Sequence, residues 1–264
     1  MAKRRLDSLL AERGLFSSRS RAAASVMAGE VRVGAGGRRA AKPGELVDAE
    51  EQLSVEQGQA YVSRGGIKLA NALTSCSVEV AGRLALDVGA STGGFTDCLL
   101  QRGAREVIAV DVGYGTLAWK LRRDPRVHVM ERTNARTLRP QMLPYRPDLV
   151  VVDVSFISLA KVLEAVLGCV GERYDVLALV KPQFEVGRER VGKGGVVRDA
   201  ADRRAALIGV GEAALALGAA VRGYYPAGLL GPKGNRETFI WLAHGVPASD
   251  GMRGLLEMAR EVEP

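Results

Sequence analysis

The chain has 264 residues, enough for one ordinary domain plus a small extra module, and 47% of them are apolar, which excludes a wholly disordered protein. Its net charge is +7, and residues 1–42 hold ten basic against three acidic side chains, so the whole excess lies at the N-terminus and the remaining 222 residues are neutral. An anionic partner is expected at that end. Cys76, Cys98 and Cys169 lie far apart with no CxxC pair, so no metal site and a reducing, cytoplasmic setting are expected. No secretory signal opens the sequence, and the apolar run 205–221 is short for a bilayer and broken by Glu212 and glycines, so no membrane partner is expected.

In chain order, Leu6, Leu9 and Leu10 share one face of a helix predicted over Arg4–Arg13, which Gly14 stops. Ser17 or Ser18 caps a second helix with Ala22, Val26 and Met27 facing inward and Gly29 ending it. Glu30–Val33 alternates as a strand, Gly34–Gly37 turns it, and Leu46-Val47 and Leu53–Val55 follow the Lys42-Pro43-Gly44 turn. The run Arg5-Leu-Asp7, Gly14-Leu15, Ser18-Arg19, Ala22, Gly29-Glu-Val31 and Lys42-Pro43 resembles the S4 RNA-binding module. That resemblance implies a basic helical face in which Arg4, Arg5, Arg19 and Arg21 contact RNA phosphates; a plain solvated face is the alternative. The expected organisation is an S4-like α+β domain over 1–57, a linker over 58–63 and a second domain over 64–264. The linker region, Gln57–Ser63, is a candidate for coupling RNA grip to order in the second domain.

From about residue 80, β and α segments alternate. Strands are expected at Leu84–Val88, Glu106–Val110, Val127–Met130, Leu149–Val154, Val176–Val180, Ala220–Tyr225 and Thr238–Ala243. Helices are expected at Phe95–Arg102, Leu159–Leu167, Ala201–Leu217 and Met252–Val262. Several strands are continuous apolar runs, as in a sheet covered on both faces. The pattern predicts an α/β, Rossmann-like, doubly wound domain with a mostly parallel seven-stranded sheet.

Asp87-Val-Gly89-Ala-Ser91-Thr-Gly93-Gly94-Phe95 takes an apolar strand through a Gly-rich turn into a helix. Ser91 stands where dinucleotide enzymes place their second glycine, and a loop that cradles no pyrophosphate does not need one there. The spacing resembles the first motif of S-adenosylmethionine-dependent methyltransferases, with Asp87, Gly89, Ser91, Gly93, Gly94 and Phe95 as cofactor-binding candidates. Asp111 ends the next strand, where a carboxylate can accept hydrogen bonds from two ribose hydroxyls; Asn134 is a candidate for the adenosine end. A nicotinamide enzyme and an empty Rossmann scaffold are the alternatives.

Four charged residues stand at places where such sheets bind ligands: Lys68 in Ser63-Arg-Gly-Gly-Ile-Lys68-Leu69, Asp153 and Lys181 at strand ends, and Glu237 opening the last strand. Together they resemble the Lys-Asp-Lys-Glu tetrad of FtsJ/RrmJ-type ribose 2′-O-methyltransferases. With the N-terminal module and the Ser-Arg-Gly-Gly-x-Lys-Leu run, the chain is similar nearly throughout to the TlyA family, first labelled haemolysins. The resemblance implies S-adenosylmethionine-dependent 2′-O-methylation of cytidine in ribosomal RNA, 23S and in some members also 16S, with ribosomal RNA or subunits as partners.

The sequence holds 29 arginines and 8 lysines, and an ammonium, unlike a guanidinium, can lose a proton and act as a base. Lys181 can therefore either take the 2′-hydroxyl proton or, kept charged, orient the hydroxyl and stabilise oxyanion character. Arg64, Arg132, Arg136 and Arg236 are further candidates for RNA phosphates. Phe156 is a candidate stacking platform for a displaced base or, alternatively, a core residue. Two rival functions are a ribosome-assembly protein that binds the cofactor without transferring methyl, and a membrane-active toxin, which would lyse liposomes.

Overall fold

The computed structural model describes residues 3–55, 60–245 and 252–263. It contains two compact units, 1–60 and 61–264. Gln57, Gly58 and Gln59 of the expected linker region lie outside the described residues.

In the first unit, β1 (Lys3–Arg5) pairs antiparallel with β4 (Leu46–Asp48), while β2 (Val31–Val33) pairs with β3 (Arg38–Arg39) and β5 (Leu53–Val55). Helices α1 (Leu6–Glu12) and α2 (Arg19–Ala28) pack above a small core of Leu6, Leu9, Leu10, Val26, Val31 and Val47. Ser18 caps α2 by accepting from Arg21 N at 3.2 Å, and Gly29 closes it at φ +76°. Two expectations are corrected. The first helix begins only at Leu6, because the chain pairs with β4 up to Arg5, so Arg4 and Arg5 belong to a strand. Met27 is 74% exposed, because Ala22, Ser25 and Val26 already fill the inward face.

The second unit opens with α3 (Arg64–Cys76), which the sequence did not mark because Gly65-Gly66 reads as a turn and costs a helix about 1 kcal/mol per glycine. Both glycines are there for space: a Cβ at Gly66 would overlap the Tyr61 ring, and Gly65 lies against Phe95. The chain continues through β6 (Leu84–Val88), α4 (Gly94–Gln101), β7 (Glu106–Val110), α5 (Trp119–Arg122), β8 (Val127–Met130), β9 (Leu149–Val152) and α6 (Ala160–Cys169). It ends with β10 (Asp175–Val180), α7 (Pro182–Glu185), α8 (Ala200–Ala216), β11 (Ala220–Pro226), β12 (Thr238–Ala243) and α9 (Met252–Val262).

The seven strands form one sheet in the order β11-β12-β10-β9-β6-β7-β8, in which β12 alone runs antiparallel to its neighbours. Successive strand residues feed opposite faces: Leu86, Val88, Val150 and Val152 enter one core, Ala85, Leu149 and Val151 the other. From β6 the chain winds outward through β7 and β8, whereas β9 and β10 lie on its other side, so the loops after β6 and β9 part and leave a crevice at their carboxyl ends. Among the described residues, no helix is long and apolar enough to cross a membrane.

Candidate functional site

The loop after β6 is built for close approach. Gly89 holds φ +87°, and a Cβ there would overlap the backbone oxygen of Asp153. Its N–H and that of Ala90 donate to Val110 O at 2.8 and 3.0 Å, fastening the loop to the end of β7. Gly93, at φ +94°, starts α4, and a Cβ there would run into Leu117 and Leu121. Asp87 lies wholly enclosed beneath this loop. Its Oδ2 accepts from Thr96 Oγ1 at 2.6 Å, its Oδ1 has no partner, and burial raises its pKa to about 7. Asp87 and Gly93 line neither of the clefts described below; they shape the loop from behind.

Asp111 follows β7 and accepts two backbone N–H groups, from Ser91 at 2.7 Å and Gly113 at 2.6 Å. A carboxylate offers about four acceptor positions, so roughly half of its capacity remains for a ligand. Asp111, Asn134, Arg136, Phe156 and Ile157 line a cleft of about 440 Å³ that Gly89, Ser91 and Asp153 share with the next one. Asn134 also caps a short turn, accepting from Arg136 N at 3.0 Å.

The second cleft brings together Lys68, Asp153, Lys181 and Glu237 with Arg64, Gly89, Ser91, Gly94 and Phe95. Lys68 projects from α3 and Glu237 precedes β12; they are 7% and 4% exposed, and Lys68 Nζ donates to Glu237 Oε2 at 2.5 Å. Lys181, just past β10, lies with Nζ 2.5 Å from Asp153 Oδ1 and donates to Ser155 Oγ at 3.0 Å. The Asp153 contact is a charge contact without hydrogen-bond direction, since Oδ1 is otherwise unsatisfied. The strand before Asp153 ends at Val152 rather than Val154, because the chain leaves the sheet there to form the crevice.

Phe156 is 91% exposed, which overturns the core reading; its ring lies 5.2 Å from that of Phe184. Arg64 Nη2 donates to Leu230 O at 3.0 Å while lining the tetrad cleft. Arg132 stands apart from both clefts, stacked 4.3 Å over the Tyr114 ring. Arg236 lines neither of them and lies 3.7 Å from Glu263. No cluster of three or more His, Cys, Asp or Glu able to hold a metal ion occurs among the described residues.

In the first unit the four candidate arginines are exposed, and three of them are held by carboxylates. Arg4 reaches both oxygens of Glu12 at 2.7 Å. Arg5 grips Asp7 through Nε and Nη2 at 3.1 and 2.8 Å, and Arg19 Nε lies 3.2 Å from the same carboxylate. Arg21 rests on Ser17 Oγ at 3.4 Å. Asp7, which enters the sequence reading only as part of the S4-like run, is therefore the buried hub for Arg5 and Arg19. The Arg5 hydrogen bonds hold its pKa at about 2, below the usual 3.8, against the opposing effect of burial. A depressed folded-state pKa means the contribution is whole above about pH 4 and is lost as pH falls towards 2. Protection of the α1 and α2 amides against hydrogen exchange, taken relative to unstructured peptide at the same pH, should therefore fall across that interval in the wild type and show no such step in Asp7→Asn. Parallel profiles would contradict the hub.

Comparison with known proteins agrees with this division. Residues 4–53 match the S4 domain and residues 61–244 the FtsJ-like methyltransferase family. The Mycobacterium tuberculosis 16S/23S rRNA (cytidine-2′-O)-methyltransferase TlyA is 50% identical over 258 residues, covering 97% of this chain and 96% of that one. YqxC of Bacillus subtilis is 51% identical over 199 residues, covering 75% and 70%. A solved hemolysin-named chain from Streptococcus thermophilus is 40% identical, covers 99% of this chain and 96% of its own, and superposes with a TM-score of 0.73. Matched domain for domain and along almost its whole length, this chain belongs to the TlyA family, an S4 domain followed by an FtsJ-like methyltransferase domain.

Proposed function

We propose that the protein transfers a methyl group from S-adenosylmethionine to the ribose 2′-oxygen of a cytidine in ribosomal RNA. The observation that carries this reading is the convergence of Lys68, Asp153, Lys181 and Glu237 on one cleft with the Gly89–Phe95 loop. Cytidine and ribosomal RNA come from the relatives' names, and both 23S and 16S RNA are taken as substrates, since the relative matched over 97% of this chain is named for both.

The residues present fit the cofactor. The Asp111 cleft has the volume of a small-ligand site, apolar walls from Val110, Val154, Ile157 and Val162, and one carboxylate with free acceptor capacity for a ribose diol. Gly89 and Ser91 line it together with Asp111 and Asp153. When bound, S-adenosylmethionine supplies an electrophilic methyl group. Gly89→Ala adds a Cβ against Asp153 at φ +87°, a strain of about 1–3 kcal/mol. Cofactor affinity by calorimetry should fall roughly 10- to 100-fold, and an unchanged value would remove the loop from the binding site.

The chemistry left to the protein is orientation and proton removal. Lys181 Nζ lines the cleft; it first passes a proton to Asp153, 2.5 Å away, and the neutral amine then takes the 2′-hydroxyl proton as the oxygen attacks the methyl carbon, so the nitrogen ends the step as the ammonium it began. Lys68 and Glu237 form the opposite wall, a buried pair that fixes α3 to β12 and offers the cleft a rigid donor. Phe156, exposed at the rim, stacks on the displaced base, and Arg64 and Arg136 meet the neighbouring phosphates. In the S4 unit Arg4, Arg5, Arg19 and Arg21 grip phosphate without reading sequence.

The test is transfer of tritiated methyl from S-adenosylmethionine to purified large and small ribosomal subunits, followed by nucleoside analysis. Label in 2′-O-methylcytidine supports the reading; cofactor binding with no label on either subunit or on free RNA favours an assembly protein.

A further inference from the structure

Two segments meet at the rim of the tetrad cleft: residues 153–159, between β9 and α6, and residues 181–185, Lys181 with α7. They are tied at both ends. Lys181 contacts Asp153 and Ser155 at one end. At the other, Glu185 Oε1 accepts the backbone N–H of Leu159 at 2.9 Å. Between the ties, the Phe156 and Phe184 rings pack with centroids 5.2 Å apart.

Several features make the Glu185 tie more than incidental. Ser158 Oγ accepts the first helical N–H, that of Ala160, at 3.2 Å, but the Leu159 N–H before it has no local acceptor, so a carboxylate from another segment completes the cap of α6. Glu185 is largely enclosed; burial pushes its pKa up, and the Leu159 N–H and Ser158 hydroxyl pull it down. It touches none of the tetrad, so the proton transfer described above leaves it without a task. Phe156 meanwhile holds φ +64° while its ring is 91% exposed. A phenylalanine keeps that backbone only where its surroundings impose it, and an exposed ring gains nothing from burial in return.

We infer that Glu185 is a positioning residue for the RNA substrate. By holding Leu159 it fixes the 153–159 loop in the conformation that presents Phe156 to the target nucleotide beside Lys181. The inference rests on the proposed function, in which Phe156 stacks on the displaced base. A glutamine at 185 keeps the acceptor oxygen and hence the tie; an alanine removes it.

The experiment measures methyl transfer to ribosomal subunits by the intact chain for wild type, Glu185→Ala, Glu185→Gln, Phe156→Ala and the Glu185→Ala/Phe156→Ala double variant, with cofactor affinity measured separately. Glu185→Ala should raise KM for subunits about tenfold, the scale of one base–aromatic stack, with a much smaller loss of cofactor affinity, since Val154 and Ile157 of the same loop wall the Asp111 cleft. Glu185→Gln should recover most of that loss. If Glu185 acts through Phe156, the double variant is no worse than Phe156→Ala alone, which a general loss of structure would not produce. Losses that multiply, an unaffected Glu185→Ala, or a cofactor affinity that falls as far as the RNA KM rises would each overturn the inference. A Phe156→Ala variant with full activity overturns it as well. A wild type that labels no RNA is seen before any variant is compared; it sinks the proposed function and this inference with it.

Discussion

Replacing Lys181 with alanine should lower methyl transfer to ribosomal RNA on the order of a thousandfold, the range of a lost general base, while cofactor binding persists. The more telling variant is Lys181→Arg. A guanidinium keeps the positive charge beside Asp153 and Ser155 but does not give up a proton under ordinary conditions. If Lys181 works by taking the hydroxyl proton, arginine rescues nothing. If it works only as a fixed charge that orients the hydroxyl, arginine restores a substantial share of the rate. Single-turnover rates with saturating subunits separate the two, because they report the chemical step rather than product release.

The second large effect is on stability. Lys68 and Glu237 are a buried ion pair, with side chains 9% and 1% exposed. Lys68→Met leaves the Glu237 carboxylate enclosed without its cation, at a cost of about 3–5 kcal/mol. For a unit of this size that corresponds to a fall in Tm on the order of 10 °C. Lys68→Met/Glu237→Leu removes both charges and should recover much of the loss, since burying an apolar pair carries no ionic desolvation penalty. Methyl transfer should remain lost in both variants. Scanning calorimetry on the two side by side checks the argument; equal Tm values for wild type and Lys68→Met would mean the pair is not buried as described.

What the sequence disclosed follows from what each signal depends on. Strands β6, β7, β8 and β12 were legible to the residue; for β6, β7 and β12 the reason is that both faces of the sheet are covered and the apolar runs stop where the cores stop. Charges placed directly after such runs, Asp111, Asp153 and Lys181, could only fall at the carboxyl edge of the sheet, and the structure brings the last two within contact. Helix α3 was hidden because its first turn carries two glycines, whose value lies in contacts with Tyr61 and Phe95 that periodicity does not register. The family resemblance grouped Lys68 with Glu237, but periodicity does not register their direct buried contact across 169 residues. Glu185 was missed because a carboxylate that serves other residues leaves no motif of its own, and Asp7, although part of the S4-like run, carried no sign that it holds Arg5 and Arg19. Arg4 and Arg5 were placed on the wrong element, since a three-residue strand before a helix looks like its first turn.

The central claim is that this cleft methylates a ribose 2′-oxygen, and alkaline hydrolysis of labelled RNA tests it most directly. A 2′-O-methyl group blocks attack of that oxygen on the adjacent phosphate. Label from wild-type protein should therefore survive alkali as a dinucleotide with cytidine at its 5′ position, and should be absent with Lys181→Ala. Label released by alkali as mononucleotides would place the methyl on a base and contradict the role given to the tetrad.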